Sequence, residues 1–214
     1  MAFHASGLLA ASALFPLREA GFALGSLHPL RSAADPARAA AAFAATPCAV
    51  EGEAAATEAL TDLVRALGGE PLSLDAAAKP LYHAAAVVAC NYLVALEDAA
   101  AQLMAAAGLD PARGLQMLLP LVRGSVEALA TLETPAAALT GPVERGDAAT
   151  VERHLVALAR DTPHLLPLYR EMGRVTLALA ERKGTLTDAA RTKLNALLAP
   201  TEGDATGSDT TRNR

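Results

Sequence analysis

Lys79, His83 and Asn91 follow one another at spacings of four and eight residues in KPLYHAAAVVACNYLVAL. On an α-helix the first spacing sets an ammonium and an imidazole about 40° apart, and the second sets Asn91 about 80° from His83. Such a pair can move a proton onto or off a developing alkoxide and stabilise its charge. The plainer reading makes Lys79 a solvated residue at a helix start. Asn91 interrupts an apolar run, where a buried amide needs a substrate, a backbone group or a second subunit as partner. In an open parallel sheet ligands gather beyond the carboxyl ends of the strands, and a strand over FALGSL (22–27) delivers His28 there; a turn histidine fixed by Pro29 is the other reading. In LTGPVERGD (139–147), Arg145 can grip a carboxylate or phosphate in a bidentate contact, with Gly141 and Asp147 beside it. Equally, Asp147 caps the next helix and Arg145 pairs with a nearby acid. Ser6-Gly7 is the one helix entrance that could stand in for a Gly-rich pyrophosphate cradle; G-x-G-x-x-G occurs nowhere in the 214 residues. His154 reads as a core or interface histidine, Tyr82 and Tyr92 as packing residues, and Cys90 as a small hydrophobe.

The elements that must position these groups change rhythm near residue 75. Before it, strand-like pieces at 3–6, 22–27, 48–52 and 71–74 alternate with helical stretches at 8–20, 36–45 and 53–67. That alternation predicts βαβ units and a largely parallel sheet, with four short strands making only part of a doubly wound one. After Asp75 the pattern is helical throughout. Pro80 suits a first turn, and the helix it opens runs to about Ala107. Asp110-Pro111 opens the next, to about Leu132. Further helices span Ala148 to Arg160, Thr162-Pro163 to Lys183, and Thr187 or Asp188 to Leu198. The expected organisation is therefore an α/β part over 1–74, a helical part over 75–198 and a polar, disordered tail over 199–214.

Composition narrows the function classes. Alanine dominates a 52% apolar content, and aromatics are only 3%, which favours closely approaching helices. A net charge of −5 with scattered arginines argues against nucleic acid, which needs a clustered basic surface. Cys48 and Cys90 lack C-x-x-C spacing and sit among apolar residues, so buried reduced thiols in the cytoplasm are expected rather than a metal site or a disulfide. The N-terminus lacks a basic leader region, and Pro16-Leu17-Arg18 breaks its apolar run. Ala84 to Leu96 is apolar but short for a membrane span and contains Asn91, so a buried helix of a soluble protein is expected.

Five segments in order, HASG (4–7), GSLHPL (25–30), K-x-x-x-H-x(7)-N (79–91), AGLDP (107–111) and LTGPVERGD (139–147), carry a resemblance. The chain up to about residue 198 resembles the later part of an uncharacterised bacterial family joining a Rossmann-like domain to a helical domain of unknown function. That family is similar to 3-hydroxyisobutyrate and 6-phosphogluconate dehydrogenases, pyrroline-5-carboxylate reductase and prephenate dehydrogenase. The resemblance implies an incomplete Rossmann-like sheet over 1–74, without its dinucleotide-binding half, and a helical domain of the 6-phosphogluconate dehydrogenase C-terminal type. It implies NAD or NADP as cofactor, a small polar substrate and a homodimer. Lys79 falls where hydroxyacid dehydrogenases place a catalytic lysine. His83 replaces the asparagine that follows it there, so the proton donor is open between Lys79 and His83. His28-Pro29 is similar to a His-Pro segment near the nicotinamide in prephenate dehydrogenases. Two further classes stand beside this enzyme: a non-catalytic helical dimerisation or interaction module, and a shortened piece of a longer enzyme, inactive alone.

Overall fold

The computed structural model describes residues 1–201; most of the tail expected to be disordered lies outside the described residues. The chain divides into two compact units, Met1–Leu96 and a second from Glu97 onward. The boundary falls inside one long helix, beyond the change of rhythm near residue 75.

The first unit is built on a four-stranded sheet: β1 (Ala2–His4), β2 (Leu24–Pro29), β3 (Pro47–Gly52) and β4 (Glu70–Ser73), side by side in that order. β1 pairs with β2 and β3 with β4 in parallel, but β2 and β3 are antiparallel. The expectation of a largely parallel sheet is corrected at this central pair. Its cause lies in the connection. The Ala-rich stretch read as a crossover forms only α1 (Pro36–Ala41), capped by Asp35 and burying no side chain. A return to parallel pairing needs a crossover connection that passes over the sheet, usually a helix, and α1 buries no side chain with which to pack there. Ala45 then takes a left-handed φ of 57°, and the chain enters β3 running back along β2. The helix expected over 8–20 is a 3-10 turn at Ala11–Leu17 containing Pro16, whose ring does not suit a helix interior.

α2 (Ala54–Ala66) is the true crossover, between β3 and β4. It buries Ala56, Leu60 and Val64, spaced four apart on one face, against Leu27, Cys48 and Val50. Gly25 permits the close approach: a Cβ there would come within 2.6 Å of a Leu60 methyl. Since side chains alternate across a strand, β2 sends Leu27 to α2 and Ser26 and His28 to the other face. In register with them, Glu51 and Ala49 of β3 share that second face. The start of α3 (Lys79–Ala106) lies against it.

The second unit holds α4 (Pro111–Thr131), α5 (Pro135–Ala138), α6 (Ala148–Asp161), α7 (Leu166–Lys183) and α8 (Asp188–Leu198). Its core joins Val151 and Leu155 of α6, Leu177 of α7 and Leu194 and Leu198 of α8 to Val143. Asp110, Asp147 and Thr187 cap α4, α6 and α8 through side-chain oxygens that accept backbone N–H groups, satisfying otherwise orphaned donors. α4 differs from its neighbours. Met117, Leu121, Val126 and Leu129 are all exposed on it.

Candidate functional site

Ser26 and His28 point from β2 toward the first turns of α3, and two polar clusters meet there. The deeper is built on Lys79, whose side chain is 1% exposed. Its ammonium donates to Ser26 Oγ at 2.6 Å and to the Ser6 carbonyl at 3.2 Å, with Glu51 Oε2 at 3.9 Å. Glu51 also accepts the Ala11 N–H at 2.9 Å. Burial lowers the Lys79 ammonium below the usual lysine value, and Glu51 partly offsets this. With both close partners inside the protein, this ammonium holds the Ser6-Gly7 turn to β2.

Above it sit two histidines. His28 Nδ1 is 3.0 Å from the Tyr82 hydroxyl, and the His28 and His83 rings meet edge to face with centroids 6.3 Å apart. Gly7 lies under both: a Cβ added there would fall 2.8 Å from His83 Nδ1 and 2.9 Å from His28 Nε2. Only glycine lets the backbone come this near. His83 Nδ1 is buried without a hydrogen-bond partner among the described residues. Desolvation lowers the His28 pKa, and the His83 and Lys79 charges add to it. Burial, helped by the Cys48 thiol, raises that of Tyr82. A phenol kept protonated can donate to His28 Nδ1, placing the ring proton of neutral His28 on Nε2.

Beside the pair opens a cavity of about 820 Å³, lined by His28, Arg31, Tyr82, His83 and Asn91 and by small apolar residues of α3. The structure thus brings His28, His83 and Asn91 to one cavity, with Lys79 beneath it. Cys90 also lines the cavity and is exposed, against the expectation of a buried thiol, whereas Cys48 is buried. Tyr82, read from the sequence as packing, is the partner of His28. Ser26, Glu51 and Arg31 were not singled out; polar residues in apolar strand runs were the available signal for the first two.

The remaining candidates behave differently. Ser6 Oγ accepts the N–H groups of Leu8 and Leu9, and the Ser6 carbonyl is held by Lys79. Gly7 is covered by imidazoles. These groups are spent within the turn, so Ser6-Gly7 does not fit a pyrophosphate. Gly141, Arg145 and Asp147 belong to the second unit. There Asp147 accepts from Thr150 N and Oγ1 at 3.0 and 2.6 Å, bonds that hold its carboxyl below the usual range. Arg145 is exposed. His154, also in that unit, is bonded to the Tyr169 hydroxyl at 2.7 Å on the wall of a separate cavity of about 630 Å³. Among the described residues no group of three or more His, Cys, Asp or Glu could hold a metal ion.

A family model described as a domain of unknown function, DUF2520, matches residues 46–176. The chain belongs to that family. No curated protein matches it in sequence. Two solved structures share the fold of this DUF2520 protein. Protein TM1727 from Thermotoga maritima is 23% identical with a TM-score of 0.71, over 85% of this chain and 69% of its own. A candidate NADP oxidoreductase, BF3122 from Bacteroides fragilis, is 22% identical with a TM-score of 0.68, over 82% and 64%. The DUF2520 chain thus spans about two thirds of each, with a four-stranded mixed sheet followed by helices.

Proposed function

We propose that this chain is an oxidoreductase-like protein, the substrate-binding part of an NAD- or NADP-linked dehydrogenase or reductase of a small polar substrate. The observation that carries the reading is the meeting of His28, His83 and the protonated phenol of Tyr82 in the lining of a cavity of about 820 Å³. That volume lies within the range of small-molecule sites. Neutral His28 is suited to exchange a proton with a hydroxyl or carbonyl oxygen of the substrate. Asn91 orients the same group from α3. Lys79 acts through the turn it holds rather than by touching substrate. A dinucleotide comes to this reading from the resemblance and from the name of the Bacteroides fragilis neighbour, not from Ser6-Gly7. The test is NADPH consumption by the chain joined to a dinucleotide-binding domain, with a panel of small 2-oxo and 3-oxo acids, comparing wild type with H28A and H83A. Loss in either variant of at least tenfold, a modest general acid–base contribution, supports the reading. Turnover unchanged in both ends it.

A second reading, an association module, draws on the apolar surface of α3 and α4. Leu81 is 80% and Val94 67% exposed on α3, and the whole face of α4 is uncovered. By length and composition α3 is also able to cross a membrane, and only 6% of its most apolar stretch is buried, against the expectation of a buried helix. We favour a second copy as the cover, making a cytoplasmic homodimer in which the catalytic reading still holds. Sedimentation equilibrium should give twice the chain mass. A detergent-requiring monomer would sink the dimer.

A further inference from the structure

Arg31 lines the same cavity. Its Nε donates to Thr46 Oγ1 at 2.8 Å, and Thr46 is buried at the edge of β3. That bond uses one of five guanidinium donors and fixes the plane of the fork, leaving the two terminal amino groups free to bind. No carboxylate pairs with them among the described residues. The cavity wall carries no acidic side chain at all, in a chain with 23 acidic against 18 basic residues. Arg31 is the cation among its lining side chains, and the buried Lys79 ammonium, bonded to Ser26 of the neighbouring strand, adds positive charge from behind. The cavity is also lined by the apolar side chains of Ala86, Val87 and Val94 of α3.

We propose that this cavity binds a small organic anion, its carboxylate or phosphate held by the terminal amino groups of Arg31 and its aliphatic body along the alanine and valine wall of α3. The proposal rests on the reading of this cavity as the substrate site and names the class of substrate it takes. A planar fork suits a two-oxygen anionic group, and the short span from Arg31 to His28 favours a compact molecule. Because Arg31 is exposed, screening keeps its contribution at the low end for charge-assisted bonds, about tenfold in affinity.

The test reads the histidine ring resonances of the isotope-labelled chain by NMR during titration with isobutyrate, isobutyl phosphate and neutral isobutyramide. Saturable shifts at His28 and His83, absent at His154 and His164, are expected with at least one anion, and the amide should bind at least tenfold more weakly. Preference between isobutyrate and isobutyl phosphate assigns the anionic group. R31Q should weaken the anion about tenfold, and R31K, which keeps charge without the fork, should fall between. The proposal is overturned if the amide binds as tightly as the anions, if R31Q and R31K both bind as wild type, or if no saturable shift occurs. Binding is read without turnover, so a chain that binds anions yet reduces nothing when joined to a dinucleotide-binding domain refutes the oxidoreductase reading alone.

Discussion

Replacing Lys79 by methionine separates a positioning ammonium from a solvated one. Methionine preserves much of the buried stem but removes every donor. The Ser6 carbonyl then loses its partner at 3.2 Å, Ser26 Oγ loses one at 2.6 Å, and Glu51 loses its cation at 3.9 Å. Two hydrogen bonds to a charged donor contribute about 1.5–3 kcal/mol each before compensation. Removing one partner of a buried pair costs about 3–5 kcal/mol. Glu51 keeps the Ala11 N–H and some solvent access, and the Lys79 desolvation penalty is relieved, so about 3 kcal/mol is the expected loss. With urea slopes of about 1–3 kcal/mol/M, the unfolding midpoint should drop by at least about 1 M. K79M/E51Q should recover about 1 kcal/mol, because the stranded carboxylate is then neutral. The assay is urea unfolding followed by circular dichroism. A loss under about 0.5 kcal/mol, the size of a surface substitution, would refute the buried clamp.

Three further outcomes follow from the same geometry. Gly7→Ala drives a methyl to within 3 Å of both imidazoles, so it should cost about 1–3 kcal/mol by overpacking and shift the His28 and His83 ring resonances while leaving those of His154 in place. The pH dependence of stability carries the His28 signature: its folded pKa lies below the ordinary 6.5 through burial first and the His83 and Lys79 charges second. The unfolded chain therefore holds that proton more tightly. Stability should rise with pH from the folded value up to about 6.5 and then level off, and H28Q should flatten that rise in urea midpoints measured across it. Leu60→Ala, on the face of α2 that meets β2 and β3, should cost about 2–5 kcal/mol in the same unfolding assay, and a loss under 1 kcal/mol would contradict the packing of that crossover.

The helical half of the fold was legible because its signals are local. Asp110-Pro111, Asp147 and Thr187 each sit where a cap must, and the structure starts α4, α6 and α8 there. Strand positions were legible within two residues for the same reason. Strand direction was not, since it depends on whether α1 packs on the sheet, and an Ala-rich stretch of six helical residues reads like the start of a longer one. At the site, spacing on α3 put His83 and Asn91 near one another, and both side chains line the cavity. The depth of Lys79 was hidden, because its partners Ser6, Ser26 and Glu51 are far away in the chain and come together only through the pairing of β2 with β1 and β3. Arg31 escaped notice because its meaning comes from Thr46, a residue with no motif of its own.

α3 shows how one sequence pattern can serve two surfaces. An apolar helix without strong periodicity is ordinarily a buried one, yet its residues Leu81, Val88 and Tyr92 are 80%, 59% and 57% exposed. At 100° per residue these three fall within about 40° of one another and roughly opposite His83. One face therefore turns its imidazole to the sheet while the other presents an uncovered apolar stripe. Removing three such side chains from water stabilises an assembly by several kcal/mol at about 25 cal/mol per Å², which is a reason for the helix to be apolar on both sides. If so, L81S/V88S should weaken self-association and leave the His28 and His83 resonances unmoved. Loss of the histidine signature together with the dimer would instead show that association assembles the site.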